Sequence, residues 1–147
     1  MKRTMPKTSI ELITRAVCVK ENKLLLCKAK NTGWYYFPGG HVDFGEPAKV
    51  ALAREFKEEL GVKIEIQDFL GAAENTYERD GTTSHELNLA FACNVPGSAL
   101  QSREDHIEFF WIPLDEVRNI TVKPEHLTKA VLLWIKELKP FWLDVRL

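Results

Sequence analysis

The chain has 147 residues, 45% of them hydrophobic and 28% charged, and a formal net charge of -1. That combination describes one soluble globular domain, residues 1–147, able to bury a core without disulfides or a structural metal, and it excludes a disordered chain. The balanced charge excludes a global field for nucleic acid or an anionic membrane, so an anionic ligand must be captured locally.

The N-terminus "MKRTMPKTSIEL" has basic residues but no apolar run behind them, so no secretory signal is expected. No segment approaches the ~20 apolar residues of a membrane span. "ITRAVCVKENKLLLCKAK" alternates on both sides of "KENK" and predicts a β-hairpin turning at Glu21 and Asn22. "GWYYFPGGH" predicts an aromatic strand closed by a loop at Pro38, Gly39 and Gly40. A helix is predicted from Pro47, suited to a first turn, to Leu60, which Gly61 follows as a stop. "VKIEIQDFLGAAENTYE" and "SHELNLAFACNV" predict an antiparallel pair around the Asp80-Gly81 turn. "HIEFFWIPL" reads as a strand and "LDEV" as a short helical turn. "PEHLTKAVLLWIKELK" reads as a second helix with an apolar stripe of Leu127, Ala130, Val131, Trp134 and Leu138.

About six or seven strands with two long helices predict an α/β fold in which the helices cover the two faces of one central mixed sheet, an α/β/α sandwich. A doubly wound parallel fold would need more crossover helices. Cys18, Cys27 and Cys93 are scattered through apolar segments, which predicts reduced core thiols and a cytoplasmic setting, and they lack the paired spacing of a zinc site.

The first helix poses an electrostatic question. At ~100° per residue, Glu55, Glu58 and Glu59 share a sector of roughly 100°, beside the apolar stripe of Leu52, Ala53, Phe56 and Leu60. Ala48 and Ala51 point the same way, leaving the space above the acids unfilled by long side chains. Like charges one turn apart oppose a helix by roughly 0.2–0.5 kcal/mol, and a bound divalent cation reverses that sign. Three glutamates alone are better explained as a solvated face.

The wider spacing decides between those readings. Gly40, five residues, Glu46, seven residues, Arg54-Glu55, Phe56, one residue, Glu58-Glu59, one residue, Gly61 and Val62 resembles the Nudix box at every fixed position. Phe56 departs mildly, since the family more often has an aliphatic residue there. The resemblance implies a Nudix-type α/β/α sandwich and a Mg²⁺-dependent hydrolase, Mn²⁺ being the other candidate metal. It implies cleavage of a phosphoanhydride bond in a nucleoside diphosphate linked to another group.

Carried onto this chain, the resemblance makes Glu55 and Glu59 metal ligands, with Glu58 as ligand or general base. Which glutamate is the base stays open. Gly40 offers its carbonyl, Arg54 and Glu46 pair to orient the acids, and Gly61 ends the helix. Many members place a further acid outside the box, and Glu104 is the preferred candidate here. Trp34 and Tyr36 precede the glycine pair as stacking candidates, and His41 and Glu86 are candidate ligand contacts. The compact chain, with no N-terminal extension, leans towards nucleoside triphosphates or small nucleotide derivatives as substrate. No membrane or nucleic-acid partner is expected, and a homodimer is possible because many relatives dimerise. A non-catalytic binding module on the same fold is the competing reading, which loss of a box glutamate would have favoured.

Overall fold

The computed structural model describes residues 9–97 and 100–144. The basic stretch on which the expectation of no secretory signal rests lies mostly outside them, at residues 1–8.

Strand β1 (Ile10–Val17) leads through Cys18 into β2 (Val19–Lys20), and β3 (Lys23–Ala29) follows. Glu21 and Asn22 take left-handed angles, φ 51° and 64°, as a two-residue hairpin turn requires. The expected hairpin is nevertheless divided. Only β2 pairs with β3, whereas β1 pairs antiparallel with β5 (Gly39–His41) and parallel with β7 (Thr82–Asn94). Alternation reports which side chains are buried, not which strand lies alongside, so it missed the change of sheet at Cys18.

The first sheet has the order β5-β1-β7-β6-β9, with β6 at Glu65–Arg79 and β9 at Phe141–Leu143. Its β5–β1 and β7–β6 pairings are antiparallel and its β1–β7 and β6–β9 pairings parallel, so it is mixed. The β6–β7 hairpin turns at Asp80 and Gly81, φ 52° and 74°. In the second sheet β3 lies between β8 (Ile107–Pro113) and the short strands β2 and β4 (Tyr35–Tyr36), all antiparallel. Nine strands are thus assigned among the described residues, where about six or seven were predicted. The additional ones are two or three residues long, too short to show a period.

Helix α1 (Ala48–Leu60) has Pro47 as its N-cap and Gly61 as a left-handed C-cap, φ 68°. Helix α2 spans Glu125–Glu137. One apolar core joins Leu52, Phe56 and Leu60 of α1 to Ala16, Cys18, Leu25, Phe91 and Cys93. The other joins Leu127 and Val131 of α2 to Val17, Leu24, Leu26, Leu70 and Ala90. Successive residues of one strand serve opposite cores, so the strands lie between two helical layers in an α/β/α arrangement. The predicted stripe on α2 is corrected at its end. Leu138 lies past the last helical residue, in a left-handed cap, and is 68% exposed, while Thr128 is turned inward and donates to the carbonyl of Val122 at 3.2 Å. All three cysteines are buried and free; burial raises the Cys27 thiol, and Cys93 beside it raises that of Cys18, so both stay protonated.

Candidate active site

The backbone of β5 lies directly against α1. A Cβ on Gly40 would fall 2.5 Å from the carboxyl carbon of Glu55, so only glycine lets strand and acid approach this closely. The Gly40 carbonyl accepts from Thr14 Oγ1 at 3.3 Å. Ala51, read from the sequence as leaving open space over the acids, is fully buried, so Glu55 and Glu59 are flanked by packed protein.

Arg54 ties loop, strand and acids together. Its Nε and Nη2 donate to the two oxygens of Glu46 at 2.8 and 3.0 Å, and Nη2 also donates to the His41 carbonyl at 3.0 Å. Its Nη1 reaches Glu55 Oε1 at 3.1 Å and Glu58 at 3.5 Å. Such a two-pronged pair fixes direction as well as distance. Because Glu46 also accepts from the Asp43 amide, the loop before α1 is locked to the first turns of the helix.

The three box glutamates differ in environment. The side chain of Glu58 is 54% exposed, whereas residue Glu59 is only 9% exposed. Burial first, then the carboxylates of Glu55 and Glu104, pushes the Glu59 carboxyl up to about 8. Burial also raises Glu55, with Arg54 opposing it. Glu104 is brought to this cluster by a loop anchored on α1, where the Arg103 amide donates to the Glu59 carbonyl at 2.6 Å. The Arg103 guanidinium occupies the space a Cβ on Gly61 would need, so this glycine makes room for the loop as well as ending the helix. His106 Nε2 lies 3.1 Å from Glu104.

Beyond the acids lies a cavity of about 750 Å³, lined by Arg15, Trp34, Tyr36, Tyr77, Glu86 and Lys123, among others. Trp34 and Tyr36 are therefore on its wall, and Lys123 Nζ sits 4.2 Å from the centre of the Trp34 ring. Glu86 is 5% exposed at its floor. Arg15 connects the two regions: its charge lowers Glu59, while its Nε donates to Asn88 Oδ1 at 3.1 Å and its Nη1 to the Phe37 carbonyl at 3.0 Å. His41 is not among the lining residues; its Nε2 is buried 3.5 Å from Glu11. A separate groove of about 690 Å³ between α2 and β9 contains none of the box residues.

Arg15, Asn75, Asn88 and Lys123 escaped the sequence reading. Nothing in their spacing marks them, because they converge through sheet order. Arg15 lies in an alternating strand, where a long cation facing inward at the fourth residue after Glu11 was the available signal.

The family model of the NUDIX domain matches residues 12–132, a span that contains the box acids and all the residues lining the cavity, Arg15 among them. The chain belongs to the NUDIX family. This NUDIX domain is 31% identical over 118 residues to an ADP-ribose pyrophosphatase of Methanocaldococcus jannaschii, covering 78% of this chain and 69% of the relative. Among solved structures it resembles a NUDIX hydrolase from Nitrosomonas europaea with a TM-score of 0.73 and 22% identity, covering 90% and 93% of the two chains. A MutT protein from Methanosarcina mazei Go1 gives 0.73 and 21%, covering 92% and 99%.

Hydrolases of this family generally use divalent metals. The donors gathered here are carboxylate and carbonyl oxygens, the set that suits a hard cation such as Mg²⁺ or Mn²⁺. Burial raises both the Glu55 and the Glu59 carboxyls, and at Glu59 the carboxylates of Glu55 and Glu104 add to it, a cost that a cation would offset. Among the described residues no three acidic, His or Cys side chains already converge as a closed cage. An open arrangement agrees with a cation that keeps waters and takes substrate oxygens as further ligands.

Proposed function

We propose that this NUDIX hydrolase cleaves a phosphoanhydride bond in a nucleoside diphosphate linked to another group, a nucleoside triphosphate or a small nucleotide derivative, with Mg²⁺ or Mn²⁺. The observation that carries the reading is Arg15, which lines a cavity of about 750 Å³ with aromatic walls and whose charge also acts on the Glu59 carboxylate of α1. A diphosphate joined to a flat base has that same division of chemistry.

Glu55 and Glu59 would hold the cation, with the Gly40 carbonyl and Glu104 as further donors. When bound, the cation supplies Lewis acidity at the phosphoryl oxygens and lowers the pKa of water. Glu58, exposed and with Arg54 as its described polar contact, would act as ligand or accept a proton from the attacking water. Arg54 acts through the acids, holding them against Glu46. Arg15 faces the phosphates with the donors its Asn88 and Phe37 contacts leave over, and Trp34 and Tyr36 offer faces to the base. One relative is named an ADP-ribose pyrophosphatase, and one structural neighbour a UDP-X diphosphatase, which supports the diphosphate reading.

The deciding experiment incubates the folded protein with nucleoside triphosphates, nucleotide sugars, ADP-ribose and dinucleoside polyphosphates, with and without Mg²⁺, and identifies the products. Hydrolysis only with metal is expected. No turnover of any of them would favour a non-catalytic nucleotide-binding module.

A further inference from the structure

The cavity floor contains a carboxylate held by only one of its oxygens. Asn75 Nδ2 and Asn88 Nδ2 donate to Glu86 Oε1 at 2.9 and 3.1 Å. The orientation of Asn88 follows from Arg15, whose Nε uses the Asn88 carbonyl oxygen and so turns the amide nitrogen to Glu86. Asn75 is the cross-strand partner of Glu86 in the β6–β7 ladder, so both supports are fixed by the sheet. Both donors end on Oε1, and among the described residues Oε2 has no hydrogen-bond donor while the side chain lines the cavity. Oε2 faces the cavity, so a ligand that displaces the solvent there must supply a donor in its place.

We infer that Glu86 selects nucleobases carrying an exocyclic amino group, and this deepens the nucleotide reading above, on which it rests. The walls around it are Trp34, Tyr36 and Tyr77, a setting for a flat ring whose faces meet aromatic side chains and whose edge meets the floor. An amino N–H aimed at Oε2 completes the carboxylate. A ring carbonyl in the same place sets oxygen against oxygen once the ring has displaced the cavity solvent. The dipole of the base edge is therefore what Glu86 reads, and cytosine and adenine fit where uracil and hypoxanthine do not.

Two matched ligand pairs test that edge: CDP with UDP, and ADP with IDP, which exchange an amino for a carbonyl substituent and, with it, an accepting for a donating ring nitrogen beside it. Binding to the full chain is measured by calorimetry in chelator, where hydrolysis does not intervene. The amino member of at least one pair should bind about 10- to 100-fold more tightly, the range for a hydrogen bond to a charged group. Glu86→Gln is the informative variant, because its carbonyl can still accept from the two asparagines while its own amide nitrogen turns to the cavity as a donor. The preference should then fall to parity or invert, with the melting temperature near that of the parent. Equal affinities within both pairs in the parent, no binding of any of the four, or an unchanged amino preference in a folded Glu86→Gln protein would each overturn the inference. Failure to hydrolyse any nucleotide, with the amino preference intact, would instead remove the catalytic reading and leave this one standing.

Discussion

The acids of α1 and the carboxylate on the cavity floor are both buried beside the same sheet, yet they are treated in opposite ways. Glu59 is buried, with Glu55 and Glu104 beside it, so its proton is held up to about 8. Glu86 receives two amide donors, and Arg15 stands one residue further along the network. The first group is poised for an arriving positive charge, and the second is already settled apart from one oxygen. Where repulsion is left unrelieved the chain is equipped for chemistry; where it is relieved, for discrimination.

That contrast is open to direct attack. The largest effect should come from Glu59→Gln, which is expected to lower turnover by roughly 10²–10³-fold on every substrate alike, with the fold retained. A variant that kept near-normal rates but changed base preference would erase the division between the regions. Arg15→Met removes the connection between them, and kcat/KM should drop about 10- to 100-fold across a nucleotide panel. Parent-like kinetics would show that the two regions do not share a substrate.

The third expectation concerns pH. The Glu59 carboxyl titrates near its ordinary 4.5 when unfolded and near about 8 when folded. Between those values the folded chain holds the extra proton, so in chelator stability is fullest below about 4.5 and declines as pH rises through about 8. Melting temperatures from pH 5 to 9 should fall by several degrees, and Glu59→Gln should flatten the slope. A rising profile would mean that the acids have structural partners. The smallest effect is expected from Gly61→Ala: about 1 kcal/mol of stability from the left-handed φ of 68°, with a further fall in activity as Arg103 and the Glu104 loop are displaced. Denaturant melts and initial rates on one preparation would check both halves.

Much of the fold was legible where residues act on their neighbours. Pro47 and Gly61 delimited α1, Asp80-Gly81 and Glu21-Asn22 marked turns that adopt positive φ, and the Glu46–Arg54 spacing gave a pair one loop apart. What was hidden depends on which strands lie side by side. β1 and β3 carry similar alternation but sit in different sheets, and Arg15, Asn75 and Asn88 come from three strands that meet only in the folded order. Leu138 fits the helical period and still lies outside the helix, because a period cannot say where the last turn ends. Ala51 was read as a gap above the acids, whereas a small residue in a tight crossing is equally a contact.

The passage of the chain through Cys18 has a dynamical consequence. The strand holding Arg15 and Thr14 continues, without a linker, into the second sheet, and its backbone is clasped on both sides of the change: the Ala16 amide donates to the Pro38 carbonyl and the Leu25 amide to the Cys18 carbonyl. The passage between the sheets is thus tied by backbone hydrogen bonds on both sides, and each displacement of one sheet pulls on the strand that carries Arg15.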